Sequence, residues 1–133
     1  CIHTTNVLTT IERIVAFFPP HQHETIRFRL SLIVKGILCL RLLPSREGSG
    51  QVPACEVMLM SPTIRELLRE GKVSEIPPLL QQSAGLGMQT MTQALYQLVK
   101  RGLVSLEDAV AVADSPGELR LLLQEIRGIN DGA

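Results

Sequence analysis

Few residues in this chain have the type and spacing to do chemistry. His21 and His23 form an H-x-H pair beside Pro20, and two imidazoles without a third ligand nearby read as a solvated helix start rather than a metal site. His3 differs: it follows an apolar, strand-like end and precedes three polar residues, Thr4, Thr5 and Asn6. Loops at the carboxyl ends of strands are where α/β sheets place ligands, although an ordinary polar loop has the same appearance. Arg65 and Arg69 are four apart on a helical pattern, so they share one face; Glu66 and Glu70 share the next, and Ile64, Leu67 and Leu68 supply the apolar side. That pattern fits an ordinary amphipathic surface helix, and equally a face that binds a partner or passes force.

Other constellations are missing from the sequence. It holds no G-x-x-x-x-G-K-[ST] phosphate loop, no nucleophile elbow and no H-E-x-x-H. Gly85-Leu-Gly87 lacks the third glycine of a dinucleotide fingerprint and reads as a helix break. Glu107 and Asp108 sit at a helix start, where they complement the dipole, and as sequence neighbours their side chains diverge.

The elements that position these residues follow from periodicity. Val7, Leu8, Ile11, Ile14, Val15 and Phe18 predict a helix over 7–18, capped by Asn6 and stopped by Pro19 and Pro20. From His21 to Leu43 both a strand alternation and a helix stripe are present; the apolar stretch exceeds a typical strand, which favours a helix to about Leu38, buried on more than one side. Residues 40–44 and 52–60 then predict two strands around the turn-rich loop 45–50, with Pro53 marking an edge. Five helices follow: from Ser61-Pro62 to a stop at Gly71; 75–86; 90–100, stopped by Gly102; 105–113, with Ser105 and Asp108 at capping-box spacing; and from Ser115 to about Ile126, ahead of a frayed tail over 128–133. No internal repeat is present.

Composition narrows the function classes. The 133 residues suit one domain, and 45% apolar residues support a packed core. Thirteen basic against 13 acidic residues give a formal net charge of +0, which removes the global electrostatic argument for nucleic acid or an anionic membrane. Three Phe, one Tyr and no Trp make a base-stacking platform improbable. Three cysteines with no C-x-x-C spacing argue against a disulfide framework and a structural zinc site, and favour a reducing compartment. No segment approaches the roughly 20 apolar residues of a membrane span, and no signal peptide is visible. The chain opens on Cys1 without an initiator Met, which reads as a fragment or a processed chain.

Several blocks, in order, resemble the pilus-retraction (PilT-like) ATPases of the type II/IV secretion superfamily. His3-Thr4-Thr5-Asn6 resembles the family's His-box loop, and Thr10–Val15 with Phe18-Pro19-Pro20 the helix and turn that follow it. Leu42-Leu-Pro44 and Val52–Met58 resemble its hairpin; Thr63–Glu70 resembles its A-I-R-N-L-I-R-E helix. Gly87–Met91 with Gln93, Ala94 and Leu95, then Gly102–Ser105 with Glu107-Asp-Ala109, resemble its C-terminal helices, so the resemblance runs from residue 1 to about 124. Thr63, Glu66 and Leu68 replace the family's Ala, Asn and second Ile, and Thr92 stands where many members have Asp. Glu66 thereby adds a carboxylate where the family has a neutral amide.

The resemblance implies an α/β fold: the C-terminal part of a RecA-like P-loop ATPase domain, mostly helical here, with one β-hairpin and a C-terminal helical subdomain. It implies that residues 1–60 end the RecA-like core and that 61–133 form the helical subdomain. It implies a parent that binds ATP and Mg, works as a homo-hexamer on the cytoplasmic side of the inner membrane, and acts on the pilus-base platform. By the same resemblance His3 would sense the γ-phosphate, Thr4, Thr5 and Asn6 would shape the nucleotide loop, and Arg65, Glu66, Arg69 and Glu70 would couple force to a partner. The phosphate loop and the acidic box lie upstream of the His box in the family, so this chain alone is expected neither to hydrolyse ATP nor to hold it tightly. Two other readings remain: a stand-alone helical binding module without a catalytic role, and a piece of a pilus-assembly or type II secretion ATPase. If the parent is RecA-like, the helices over 7–18 and 21–38 lack their cover and the isolated chain should self-associate.

Overall fold

Asn6 sets the start of the first helix. Its backbone is extended and its side-chain Oδ1 accepts from the Thr9 amide at 2.8 Å, satisfying one of the donors every helix leaves open. The computed structural model describes residues 6–131. Helix α1, Val7–Ala16, buries Val7, Ile11 and Val15, an i, i+4, i+8 stripe. Pro19 and a 3-10 turn over Pro20–Gln22 lead into α2, His23–Ile33.

Here the structure corrects the sequence reading. Helix α2 stops at Ile33, Val34 is extended, and strand β1 runs over Gly36–Pro44. Gly36 explains the early switch: a Cβ there would lie 2.9 Å from the Met58 carbonyl oxygen, so the opposing strand approaches at a distance only glycine permits. Nor is α2 buried on more than one side. Ser31 is its one buried residue, and Phe28, Leu32 and Ile33 are exposed. Strand β1 pairs with β2, Gln51–Leu59, in an antiparallel hairpin. Cys39 and Leu43 point inward, while Leu38, Leu40 and Leu42 are exposed, the period-2 alternation of a half-buried strand.

Helix α3, Pro62–Glu70, has the bounds its sequence signals predict. The Ser61 hydroxyl accepts from the Ile64 amide at 3.2 Å, Pro62 opens the first turn, and Gly71 closes the helix in the left-handed region at φ 78°. The next predicted helix is shorter than expected: α4 covers Ile76–Gln82, and 3-10 turns over Val73–Glu75 and Ala84–Leu86 take up the rest. Helix α5 spans Met91–Lys100 and α6 Leu106–Val112, the latter capped by Ser105, whose hydroxyl accepts from the Asp108 amide at 3.1 Å. Helix α7, Pro116–Asp131, continues past the predicted end at Ile126, through part of the stretch expected to fray.

The chain divides into two packing units, each assembled from two stretches. One takes the chain up to Cys39 together with Glu56–Thr90. Its core holds Val7, Ile11, Met58, Ile64, Leu68, Ile76 and Leu80, none more than 2% exposed. The other takes Leu40–Cys55 and the chain from Met91 onward. Leu43, Ala54, Met91, Leu95, Val104, Ala109 and Leu119 form its core, and the Arg41 guanidinium meets Asp114 Oδ1 at 2.6 Å. Full burial of one such aliphatic side chain contributes about 1.5–3 kcal/mol.

Candidate functional site

Helix α3 carries the charged residues singled out in the sequence, and it packs on α2. Ile64 and Leu68, buried at 0% and 1%, anchor it in the core. This fixes the azimuth of every other side chain on the helix.

The two arginines turn toward α2. Arg65 Nε donates to the Ser31 carbonyl oxygen at 2.9 Å, in the last turn of α2. A helix end leaves its last carbonyls without intrahelical donors, and a guanidinium there also meets the negative end of the dipole. The Arg69 guanidinium lies 5.3 Å from the centroid of the Phe28 ring, a cation–π contact. Its Nη1 also pairs with Glu66 Oε1 at 3.3 Å, one turn back on the same helix.

Glu70 ends the helix beside Lys72, with Oε2 and Nζ 3.2 Å apart. The Glu70 carboxylate, through a hydrogen bond and its charge, and Glu75 through its charge, hold the Lys72 ammonium above its ordinary range. Between α2 and α3 lies an open groove of about 580 Å³. Glu24, Thr25 and Phe28 line it from α2; Glu66, Arg69 and Glu70 line it from α3. Three of the four residues expected to couple force thus share one groove, and Arg65 stands outside its lining. The α2 contributors were missed in the sequence, although Glu24 and Phe28 are spaced i, i+4 and so share a face.

His3, Thr4 and Thr5 lie outside the described residues. Asn6 is described, and its side chain serves as the cap of α1. Next to it the Val7 amide donates to Glu56 Oε1 at 2.9 Å. Glu56 is 5% exposed, a carboxylate from β2 set against the start of α1. A buried carboxylate at a helix N-terminus satisfies an open amide and meets the positive end of the dipole. His23 faces elsewhere, with Nε2 2.7 Å from the Phe18 carbonyl oxygen.

Gly48 and Gly50, both with positive φ, belong to the hairpin loop, and at the start of α1 Asn6 Oδ1 and Glu56 Oε1 accept from the Thr9 and Val7 amides. Among the described residues no group of three or more His, Cys, Asp or Glu side chains is placed to hold a metal, and no helix is long and apolar enough to cross a membrane.

Comparison with known proteins places this arrangement. The chain is 42% identical over 123 residues to the type IV pilus ATPase PilU of Pseudomonas aeruginosa, which covers 92% of this chain and 32% of that protein. It is 37% identical over 115 residues to the type IV pilus retraction ATPase PilT of the same organism, covering 86% of this chain and 33% of the relative. A crystal structure of the pilus retraction motor PilT with bound ADP matches with a TM-score of 0.80 at 43% identity, over 90% of this chain and 33% of that one. No family model matches the chain. The fold, mostly helical with one antiparallel hairpin, corresponds to the C-terminal region of such an ATPase. The chain spans about a third of the length of the curated relatives it matches, and over some nine-tenths of its own length it belongs to the PilT-like family of pilus-retraction ATPases.

Proposed function

We propose that this chain is the force-coupling segment of a motor ATPase that retracts type IV pili and so drives twitching motility. The observation that carries the reading is 42% identity, sustained over 123 residues, to a type IV pilus ATPase. In this reading the motor is a hexamer at the cytoplasmic face of the inner membrane, it binds ATP with Mg, and its partner is the pilus-base platform. Residues 1–60 complete the RecA-like core and residues 61–133 form the helical subdomain. His3 senses the γ-phosphate, with Thr4, Thr5 and Asn6 shaping the loop around it, and Glu56 holds the adjoining start of α1 in place. Helix α3, through Arg65, Glu66, Arg69 and Glu70, passes the motion on. A motor of this kind works by positioning and electrostatic stabilisation of the transferred phosphoryl group, with nucleotide state changing domain arrangement.

The sequence contains no G-x-x-x-x-G-K-[ST] phosphate loop, so in this reading the chain by itself is expected to turn over no ATP. The test is a swapped motor: Pseudomonas aeruginosa PilT with its matching third replaced by this chain. The reading expects Mg-dependent ATP hydrolysis from the purified swapped protein, lost on His3→Ala. An assembled, well-folded swapped motor with no hydrolysis would overturn it.

A further inference from the structure

We infer that Glu56 is a positioning residue for ATP hydrolysis: from β2 it pins the first turn of α1, and so sets the point from which the His3-Thr4-Thr5-Asn6 loop reaches the γ-phosphate. This deepens, and rests on, the reading of His3 as the γ-phosphate sensor.

Two residues supply acceptors at the start of α1, and they do different things. Asn6 Oδ1 accepts from the Thr9 amide at 2.8 Å, and the Asn6 carbonyl oxygen accepts from the Thr10 amide at 3.1 Å. Those bonds are local: they form the helix end and travel with it. Glu56 Oε1 accepts from the Val7 amide at 2.9 Å and comes from 49 positions away. A bond from another element fixes where the helix start lies on the strand. Thr10 gives a second fixed point, with Oγ1 3.5 Å from Cys39 Sγ on β1. One contact would leave a pivot; two, one on each strand, hold the first turn in place.

Packing alone does not call for a carboxylate here. Glu56 stands in a core row of β2: it is 5% exposed, and Met58, two residues along on the same face, is 0% exposed. A hydroxyl or an amide would serve one N–H at a smaller desolvation cost. The carboxylate supplies a stronger, charge-assisted bond, and the positive end of α1 favours its charge. A polar group set in a core row is the kind of local conflict that functional sites carry. Only Thr4 and Thr5 separate His3 from the Asn6 cap, so the loop has little slack with which to absorb a shift of its base. A displacement of about 1 Å at a group that meets the transferred phosphoryl can cost up to about 100-fold in rate.

The test uses the swapped motor with Glu56→Ala and Glu56→Gln, measuring kcat for ATP hydrolysis, the Kd for ADP, and assembly by light scattering. Glu56→Ala is expected to lower kcat about ten-fold. Its ADP affinity should stay within about two-fold, because ADP lacks the γ-phosphate that His3 meets. Gln has the same length and keeps an acceptor oxygen, so it should restore kcat to within about three-fold of the parent motor. Should Glu56→Ala fail to assemble, Glu56→Asp, charged but one methylene short, is expected to show the same split between hydrolysis and ADP binding. A residue that only supports the fold would lose ADP binding and assembled protein in step with hydrolysis. That parallel loss, an unchanged kcat, or Gln as slow as Ala would each overturn the inference. Hydrolysis that needs His3 but ignores Glu56 removes this inference alone; a swapped motor that is inactive, or active without His3, removes the sensor reading and this inference with it.

Discussion

The Val7 amide donates to Glu56 Oε1 at 2.9 Å across 49 positions of sequence, joining the start of α1 to β2 in the buried part of one packing unit. The carboxylate is 5% exposed and Val7 is fully buried, so water cannot replace either partner. Replacing Glu56 with Ala leaves a buried helix-start amide unsatisfied. We expect a loss of about 2–4 kcal/mol in urea unfolding, with Gln, which keeps an acceptor oxygen, costing clearly less than Ala. Equal losses for Gln and Ala would show that the hydrogen bond is not what holds α1 in place.

Helix α3 can be tested at its two ends. Ser61→Ala removes the side-chain acceptor for the Ile64 amide and is expected to cost about 1 kcal/mol. Gly71→Ala places a Cβ at φ 78°, within 3.3 Å of the Arg27 guanidinium, and is expected to cost about 1–2 kcal/mol. Both are read by chemical denaturation, and a Gly71→Ala variant as stable as the parent chain would contradict the left-handed cap.

Leu68→Ala opens a cavity where the side chain is 1% exposed, in a cluster with Val7, Ile64 and Leu80. The expected cost is about 2–5 kcal/mol, which for a small domain is a large share of its stability. A loss below about 1 kcal/mol would mean that α3 is not anchored in the core as described.

Glu70→Gln removes the carboxylate charge and leaves only a neutral amide oxygen to accept from Lys72, so the largest causes that raise the Lys72 pKa are weakened or lost. The ammonium should therefore titrate at lower pH in the variant, seen directly by NMR of the Lys72 side chain. The sign follows from linkage: a raised pKa means the pair contributes below the ordinary lysine pKa and is lost as pH rises through the folded value. An unmoved or higher titration would break the assignment of Glu70 as the partner.

Local chemistry was easy to read and long-range approach was not. Asn6, Ser61 and Ser105 are caps whose hydroxyl or amide oxygen reaches three residues ahead, and all three are seen. Gly71 as a helix stop needs only its own φ, so it too was legible. The end of α2 was not, because Gly36 is required by the backbone of Met58, 22 positions away, and no window around residue 36 contains that fact. Each packing unit likewise draws on the hairpin and on a helical stretch distant in sequence, a pairing that no local window contains. At the site, the charged pattern of 65–70 was plain. That its arginines bend back to Ser31 and Phe28, leaving the carboxylates outward, depends on α2 lying alongside.

The exposed apolar side chains carry a further expectation. Phe17 is 72% exposed, Ile33 68% and Leu38 66%, and Leu40 and Leu42 on the same face of β1 are more than half exposed. Large exposed apolar side chains promote association. The isolated chain should show a molecular mass that grows with concentration in light scattering, and a concentration-independent monomer would count against it.

The central claim is that α3 couples the motor to pilus retraction, and retraction itself tests it most directly. In a Pseudomonas aeruginosa strain whose PilT carries this chain in place of its matching third, twitching-zone diameter is measured with and without the R65A/R69A changes. The account predicts twitching for the swapped motor, and its loss on R65A/R69A while the purified protein still hydrolyses ATP. Twitching undiminished by R65A/R69A, or lost only together with ATP hydrolysis, would contradict it.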